Sequence, residues 1–233
     1  MYIYTCTLEL LEHLFFSSRE INAFFQTEAL VGNYALCYAL GFCQAPYHND
    51  GTIWYKPHLS QLNDQSIYVT PANVEGKPKF TITQFNAQTD TYWYSFDQNA
   101  ITVDKKKKAR AVNYPQTGKI KMLALGNVLT FYILSEQLID ARLPRYIRLG
   151  KFMSKAKVSV TRTRCEPGQR ATISINGVLN PADLPETLHL QRFDLCNIHP
   201  STFLKNAEAT GIFYHLSGKV FLPVGMRFGV DAL

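Results

Sequence analysis

From residue 119 to residue 224 the chain returns again and again to one pattern: a run of β-forming residues, then a turn signal. Residues 119–125 and 128–134 flank Gly126-Asn127, a two-residue Gly-X link that predicts a hairpin with a type II′ turn. Residues 158–165 and 170–176 flank Glu166-Pro167-Gly168-Gln169, where Pro followed by Gly fits a type II turn and predicts a second hairpin. Residues 212–216 and 219–224 meet at Ser217-Gly218 to give a third. A chain punctuated in this way points to an antiparallel sheet.

The first half adds the helices. Residues 2–11 are rich in β-formers and predict a strand. Ser17 with Glu20 fits a capping box, which predicts a short helix over 18–26. Residues 33–42 carry apolar groups on several helical faces, the mark of a buried helix. Residues 44–63, with Pro46, Asn49-Asp50-Gly51 and Pro57, read as loop and turn. Residues 66–70, 80–85 and 187–193 are further strands, 86–115 an extended insertion, and 200–209 a short helix. The order predicts one α+β domain over residues 1–233, with an antiparallel sheet, β-hairpins and helices on one face. A ferredoxin-like βαββαβ core with a long insertion is the simplest candidate.

Composition limits the class of protein. Hydrophobic residues make up 46% and charged residues 18%, so the chain is an ordered globular one. Cys6, Cys37, Cys43, Cys165 and Cys196 form no CxxC and no Cys/His group at zinc spacing, so reduced thiols in a cytoplasmic protein are expected, with no metal and no cofactor. The N-terminus lacks the basic start and long apolar core of a signal peptide. The most apolar stretch, residues 29–45, contains Gly32, Asn33 and Gln44 and is too short to span a membrane.

Charge is unevenly spread. Residues 104–164 hold 15 Lys/Arg against Asp104, Glu136 and Asp140, which leaves 9 basic and 15 acidic residues in the rest. The net +6 therefore belongs to one strongly basic region. Its densest part is residues 144–158, PRYIRLGKFMSKAKV, with five cations and no carboxylate. Basic groups beside aromatic faces suit a single-stranded nucleic acid, with cations on phosphates and rings under bases. The candidate RNA-binding residues are Arg145, Arg148, Lys151, Phe152, Met153, Lys155, Lys157, Arg162 and Arg164. Gly150 lets the backbone approach a ligand closely. Lys105, Lys106, Lys107, Lys108 and Arg110 are a second candidate contact, although such runs are usually solvated loops. Tyr92, Trp93 and Tyr94 can stack on bases or pack in a core.

Catalysis has little to stand on. His13, His48, His58, His189, His199 and His215 are scattered, and no GxSxG, phosphate loop or GxGxxG occurs. The stretch Gly225-Met226-Arg227-Phe228-Gly229 is either a backbone cradle for RNA or a turn that closes the sheet.

Four stretches carry a family likeness: residues 33–40 (NYALCYAL), 84–87 (QFNA) with Tyr92-Trp93-Tyr94, 113–115 (NYP), and 144–158. Together they resemble the Cas-five-type, or Csc-one, subunit of the type I-D CRISPR effector. The likeness covers most of the chain in the same order and weakens at 97–112 and 177–210. It implies a repeat-associated (RAMP) protein with an RRM-like core that caps the 5′ handle of CRISPR RNA. It also implies a thumb-like insertion at about 66–122. The implied partners are CRISPR RNA, a Cas-seven-type backbone subunit, the large subunit of the effector and, at one remove, target DNA. It implies a non-catalytic role. The alternative within the superfamily is a metal-independent endoribonuclease acting on precursor RNA, with His48 or Tyr47 moving protons. A general single-strand RNA chaperone is the third reading.

Overall fold

The fold is described from a computed structural model. It describes residues 1–44, 54–87, 93–95, 100–102, 110–111, 116–175, 177–198, 202–216 and 220–230. In chain order the elements begin with β1 (Tyr2–Leu10), β2 (Arg19–Ile21), β3 (Phe24–Gln26) and β4 (Leu30–Val31). Helices α1 (Asn33–Ala39) and α2 (Tyr55–Asp64) follow directly. Next come β5 (Ile67–Val69), β6 (Ala72–Val74), β7 (Phe80–Ala87), β8 (Trp93–Ser95), β9 (Ala100–Thr102) and β10 (Arg110–Ala111). Then come β11 (Gln116–Leu123), β12 (Val128–Ser135), β13 (Tyr146–Leu149), β14 (Ser154–Arg164) and β15 (Pro167–Ser174). The chain ends with β16 (Val178–Leu179), β17 (His189–Asn197), β18 (Thr202–Leu216) and β19 (Val220–Pro223).

The main sheet runs β13-β14-β1-β12-β6-β4, with β5 also paired to β12. β1 lies at its centre, antiparallel to both β12 and β14. One face of the sheet is apolar: Tyr4, Cys6, Leu8 and Leu10 of β1 align with Leu129, Phe131 and Ile133 of β12 and with Ala156 and Val158 of β14. These side chains are buried, and burying each large one contributes about 1.5–3 kcal/mol. Helix α1 packs against β5 and β13, and α2 against β5. A second sheet is built on β18, which pairs with β15, β16, β17 and β19. Smaller sheets join β2-β3-β11-β7 and β8-β9-β10.

The α+β class with antiparallel sheets is as expected. The βαββαβ order is not what the described sheets show, since both helices fall between β4 and β5 and β1 has two antiparallel neighbours. The predicted helix over 18–26 is instead the β2–β3 hairpin, turned at Asn22 with φ +56°. Ser17 and Glu20 form no capping box, since Glu20 lies in β2; the neighbouring Ser18 hydroxyl accepts the Glu28 N–H at 3.2 Å, while Phe24 and Phe25 align parallel to β11. Residues 55–64, expected as loop, are α2, because Pro57 sits in the first helical turn where no N–H is needed. Residues 200–209, expected as a helix, fall largely in the 15-residue β18, whose ladders on both sides override local propensity.

Two predicted hairpins also come apart. β11 pairs with β7 and β3, whereas β12 pairs with β1, so the chain changes sheet at residues 124–127. Gly126, at φ +76°, occupies the third position of a turn closed by Asn127 N–H to Ala124 O at 3.4 Å. The buried Asn127 side chain then bonds Lys79 N–H and C=O and fixes the entry to β7. Likewise β14 pairs with β1 while β15 pairs with β18. The β18–β19 hairpin forms as predicted.

Candidate nucleic-acid interface

Residues 144–158 fold into a hairpin of β13 and β14, in register from Tyr146↔Lys157 to Leu149↔Ser154. The sequence enforces it by alternation. Ile147, Leu149, Ala156 and Val158 are buried on the core face, so Tyr146, Arg148, Lys155 and Lys157 must point to the other. The tip, residues 150–153, is turned by Gly150 (φ +72°) and Met153 (φ +52°). Arg148 braces it by donating to the Met153 carbonyl at 2.9 Å.

The tip leans on residues 12–15. Lys151 N–H donates to Phe15 O at 2.9 Å, Ser154 Oγ to His13 O at 2.7 Å, and Lys155 N–H to Glu12 Oε2 at 2.8 Å. The Phe152 ring lies 5.0 Å from that of Phe15 yet keeps 54% of its surface in solvent. A Cβ on Gly150 would collide with the Phe15 carbonyl oxygen. Gly150→Ala is therefore expected to cost on the order of 1–3 kcal/mol, from positive φ and this contact together. A urea melt against the parent chain measures it, and an unchanged midpoint would contradict the packing described.

The hairpin presents what a single strand of RNA needs. Tyr146 and Met153 are 53% and 57% exposed beside Phe152. Lys155 Nζ sits 4.7 Å from the Tyr146 ring centre, so cation and ring form one surface. Lys157 approaches Glu9 at 3.9 Å, an exposed pair worth about 0–1 kcal/mol and easily exchanged for a phosphate. Lys151 makes no ion pair among the described residues and borders a cleft of about 630 Å³ that reaches Tyr34, Tyr55 and Phe203.

The nine candidates do not form one surface. In β14, Arg162 and Arg164 alternate with Val160 on the face opposite to Lys155 and Lys157. Arg162 is held by Asp140 at 2.7 Å and lies over the Tyr2 ring. Arg145 flanks the hairpin, where its carbonyl accepts the Val158 N–H at 2.8 Å. Sequence reading missed the carboxylates of Glu9 and Glu12, which come to the hairpin from an element distant in the chain, and did not pair Asp140 with Arg162. Lys105 to Lys108 and Tyr92 lie outside the described residues. Arg110 opens β10, and Trp93 and Tyr94 lie in β8.

His58 Nδ1 is 2.8 Å from Tyr38 OH, and His13 Nδ1 accepts the Leu125 N–H at 3.1 Å. His48 and Tyr47 lie outside the described residues. Burial pushes the Cys6 thiol up to about 12 and Cys43 up to about 11. Among the described residues no three His, Cys, Asp or Glu gather as a metal site would require. No helix among them is long and apolar enough to cross a membrane. Residues 225–229 form a clasp: Met226 and Phe228 are buried, and Gly229 abuts the Ala182 carbonyl too closely to admit a Cβ.

Two solved structures align with most of this chain. A chain in the cryo-EM structure of the type III-B Cmr-beta complex bound to cognate target RNA and AMPPnP aligns over 88% of this chain and 85% of its own, at 12% identity and a TM-score of 0.49. A crystal structure of a CRISPR protein from Archaeoglobus fulgidus aligns over 97% of this chain and 99% of its own, at 13% identity and a TM-score of 0.43. No curated protein matches the sequence. The family model described as type I-D CRISPR-associated protein Cas5/Csc1 matches residues 1–231. The chain belongs to that family.

Proposed function

We propose that this chain is a non-catalytic subunit of a type I-D CRISPR effector that holds the 5′ handle of CRISPR RNA and helps assemble the complex for recognition of target DNA. The observation that carries the reading is the β13–β14 hairpin, which sets Lys151, Lys155 and Lys157 beside exposed Tyr146, Phe152 and Met153. Phosphates meet the ammonium groups, and bases meet the rings. In such a complex the Cas-seven-type backbone subunit and the large subunit are its protein partners. The insertion at about 66–122, which holds β5 to β11, is the thumb in this reading, and the basic run at 105–108 falls within it.

The non-catalytic reading rests on proton chemistry. Cleavage without a metal needs an acid and a base around one phosphate. At the hairpin the nearest imidazole on the page, His13, has its Nδ1 engaged by a backbone N–H. The test is incubation of the purified chain with repeat RNA in EDTA. The expected result is a bound, uncut RNA, with handle-containing RNA bound more tightly than a scrambled strand of equal length. Specific cleavage lost in His48→Ala would overturn the non-catalytic reading. Equal affinity for handle and scrambled strands would replace handle recognition by general RNA binding.

A further inference from the structure

On the side away from β1, pairing stops before β14 ends. β13 covers β14 only from Ser154 to Lys157, with one further bond from Val158 N–H to Arg145 O. That bond fixes which backbone groups face outward: the even-numbered residues of β14 direct N–H and C=O away from β1. Over Val160, Arg162 and Arg164 no backbone group among the described residues answers them. Residues 159–164 are all exposed, and Val160 keeps 37% of its surface in solvent. A groove of about 520 Å³ opens at the point where β13 begins, lined by Leu143, Pro144, Tyr146 and Val160 together with Arg145, Lys157 and the Asp140 carboxylate that Arg162 engages.

We propose that this edge, residues 159–164, receives an extended acidic segment of a partner protein as an added antiparallel strand in line with β13. Two arguments select a peptide over RNA. The edge alternates donors and carbonyl acceptors at strand spacing, which another strand satisfies in full; the backbone of RNA donates only through its 2′-hydroxyls, at nucleotide spacing, and cannot match the row. The groove is also apolar at Leu143, Pro144 and Val160, where a side chain of the incoming strand can bury. Charge selects the sign. Arg145 and Arg164 make no ion pair among the described residues, and Arg162 is matched only by Asp140. An apolar residue opposite Val160 with carboxylates opposite Arg162 and Arg164 fits this pattern. Unprotected edges of this kind are otherwise prone to indiscriminate pairing.

This inference rests on the assembly reading above and is tested separately from RNA binding. Amide hydrogen exchange is measured on the isolated chain, on the chain with handle RNA, and on the effector assembled by co-expression with its other subunits. The amides of Val160, Arg162 and Arg164 are expected to exchange fast in the first two and more than about tenfold slower in the third. Val160→Pro removes only an outward N–H, so the ladder to β1 survives. It is expected to keep its melting temperature and RNA affinity while failing to enter the effector. Fast exchange in the assembled effector overturns the proposal. So does slowing by RNA alone, or by raised concentration of the isolated chain, which would assign the edge to RNA or to a second copy. Loss of RNA affinity in the parent chain strikes the proposed function and leaves the amide readout intact. Failure of the parent chain to enter any effector overturns both.

Discussion

Replacing Lys151, Lys155 and Lys157 together by alanine is expected to weaken binding of handle RNA on the order of a hundredfold near 0.1 M salt. Each single-strand phosphate contact contributes about 0.7 to the slope of log affinity against log salt, so three contacts contribute about 2. Carried from 1 M to 0.1 M salt, that slope is about two decades of affinity. Arg148 is left in place because its guanidinium braces the Met153 carbonyl, and its loss would disturb the tip as well as the charge. The three lysines are exposed and their one ion pair is long, so the triple variant should melt close to the parent. Arg162→Ala with Arg164→Ala, on the opposite face of β14, should change the affinity far less. Titrations at several salt concentrations decide it. An unchanged slope in the triple variant, or an equal loss in the double one, would remove the hairpin face as the RNA site.

The charge and aromatic content of residues 144–158 are legible locally, but the hairpin they form was not among those expected, although its alternation is present in the sequence. Six residues of period two, with Ile147 and Leu149 against Arg148 and with Ala156 against Lys155 and Lys157, fix which side chains reach water. The same alternation along β14 carries the apolar row of Ala156 and Val158 into Val160, Arg162 and Arg164, on the face away from the lysines. The contacts of these cations with carboxylates could not be read, since Glu9 meets Lys157 through the pairing of β1 with β14, and Asp140 meets Arg162 from an exposed turn 22 residues earlier.

The errors in the fold share one cause. Gly126-Asn127 and Pro167-Gly168 do mark reversals of direction, but a turn signal carries no information on which sheet receives the next strand. At Asn127 the deciding contacts are those to Lys79, 48 residues away. In residues 202–209 two flanking ladders outweigh the local preference, and the period of the burial pattern shifts at Asn206, where φ is +51°. α2 was hidden by Pro57, which breaks a helix from inside yet suits its first turn.

Asp183→Ala is expected to be the most damaging single substitution for stability, at about 3–5 kcal/mol. Asp183 is almost wholly buried, and its carboxylate gathers three parts of the chain. Oδ2 accepts from Asn33 Nδ2 at 2.6 Å and from Tyr68 OH at 3.0 Å, while Oδ1 accepts the Gly229 N–H at 2.9 Å. Alanine leaves those donors without a partner at the joint between α1, β5 and the 225–229 clasp. The pH dependence identifies the cause. Burial pushes the carboxyl from 3.8 up to about 6, against the opposing pull of the Gly229, Asn33, Tyr68 and Tyr34 donors. The folded state thus holds the proton more tightly than the unfolded chain. Its contribution is full below about pH 4 and is lost as pH rises through about 6, a fall on the order of 3 kcal/mol. Asp183→Asn removes this titration, so the stability gap between parent and Asn variant should narrow between pH 4 and pH 8. Urea melts at the two pH values measure the gap. A gap that stays constant would mean that Asp183 is ionised in both states and that the hydrogen bonds, rather than burial, set its proton affinity.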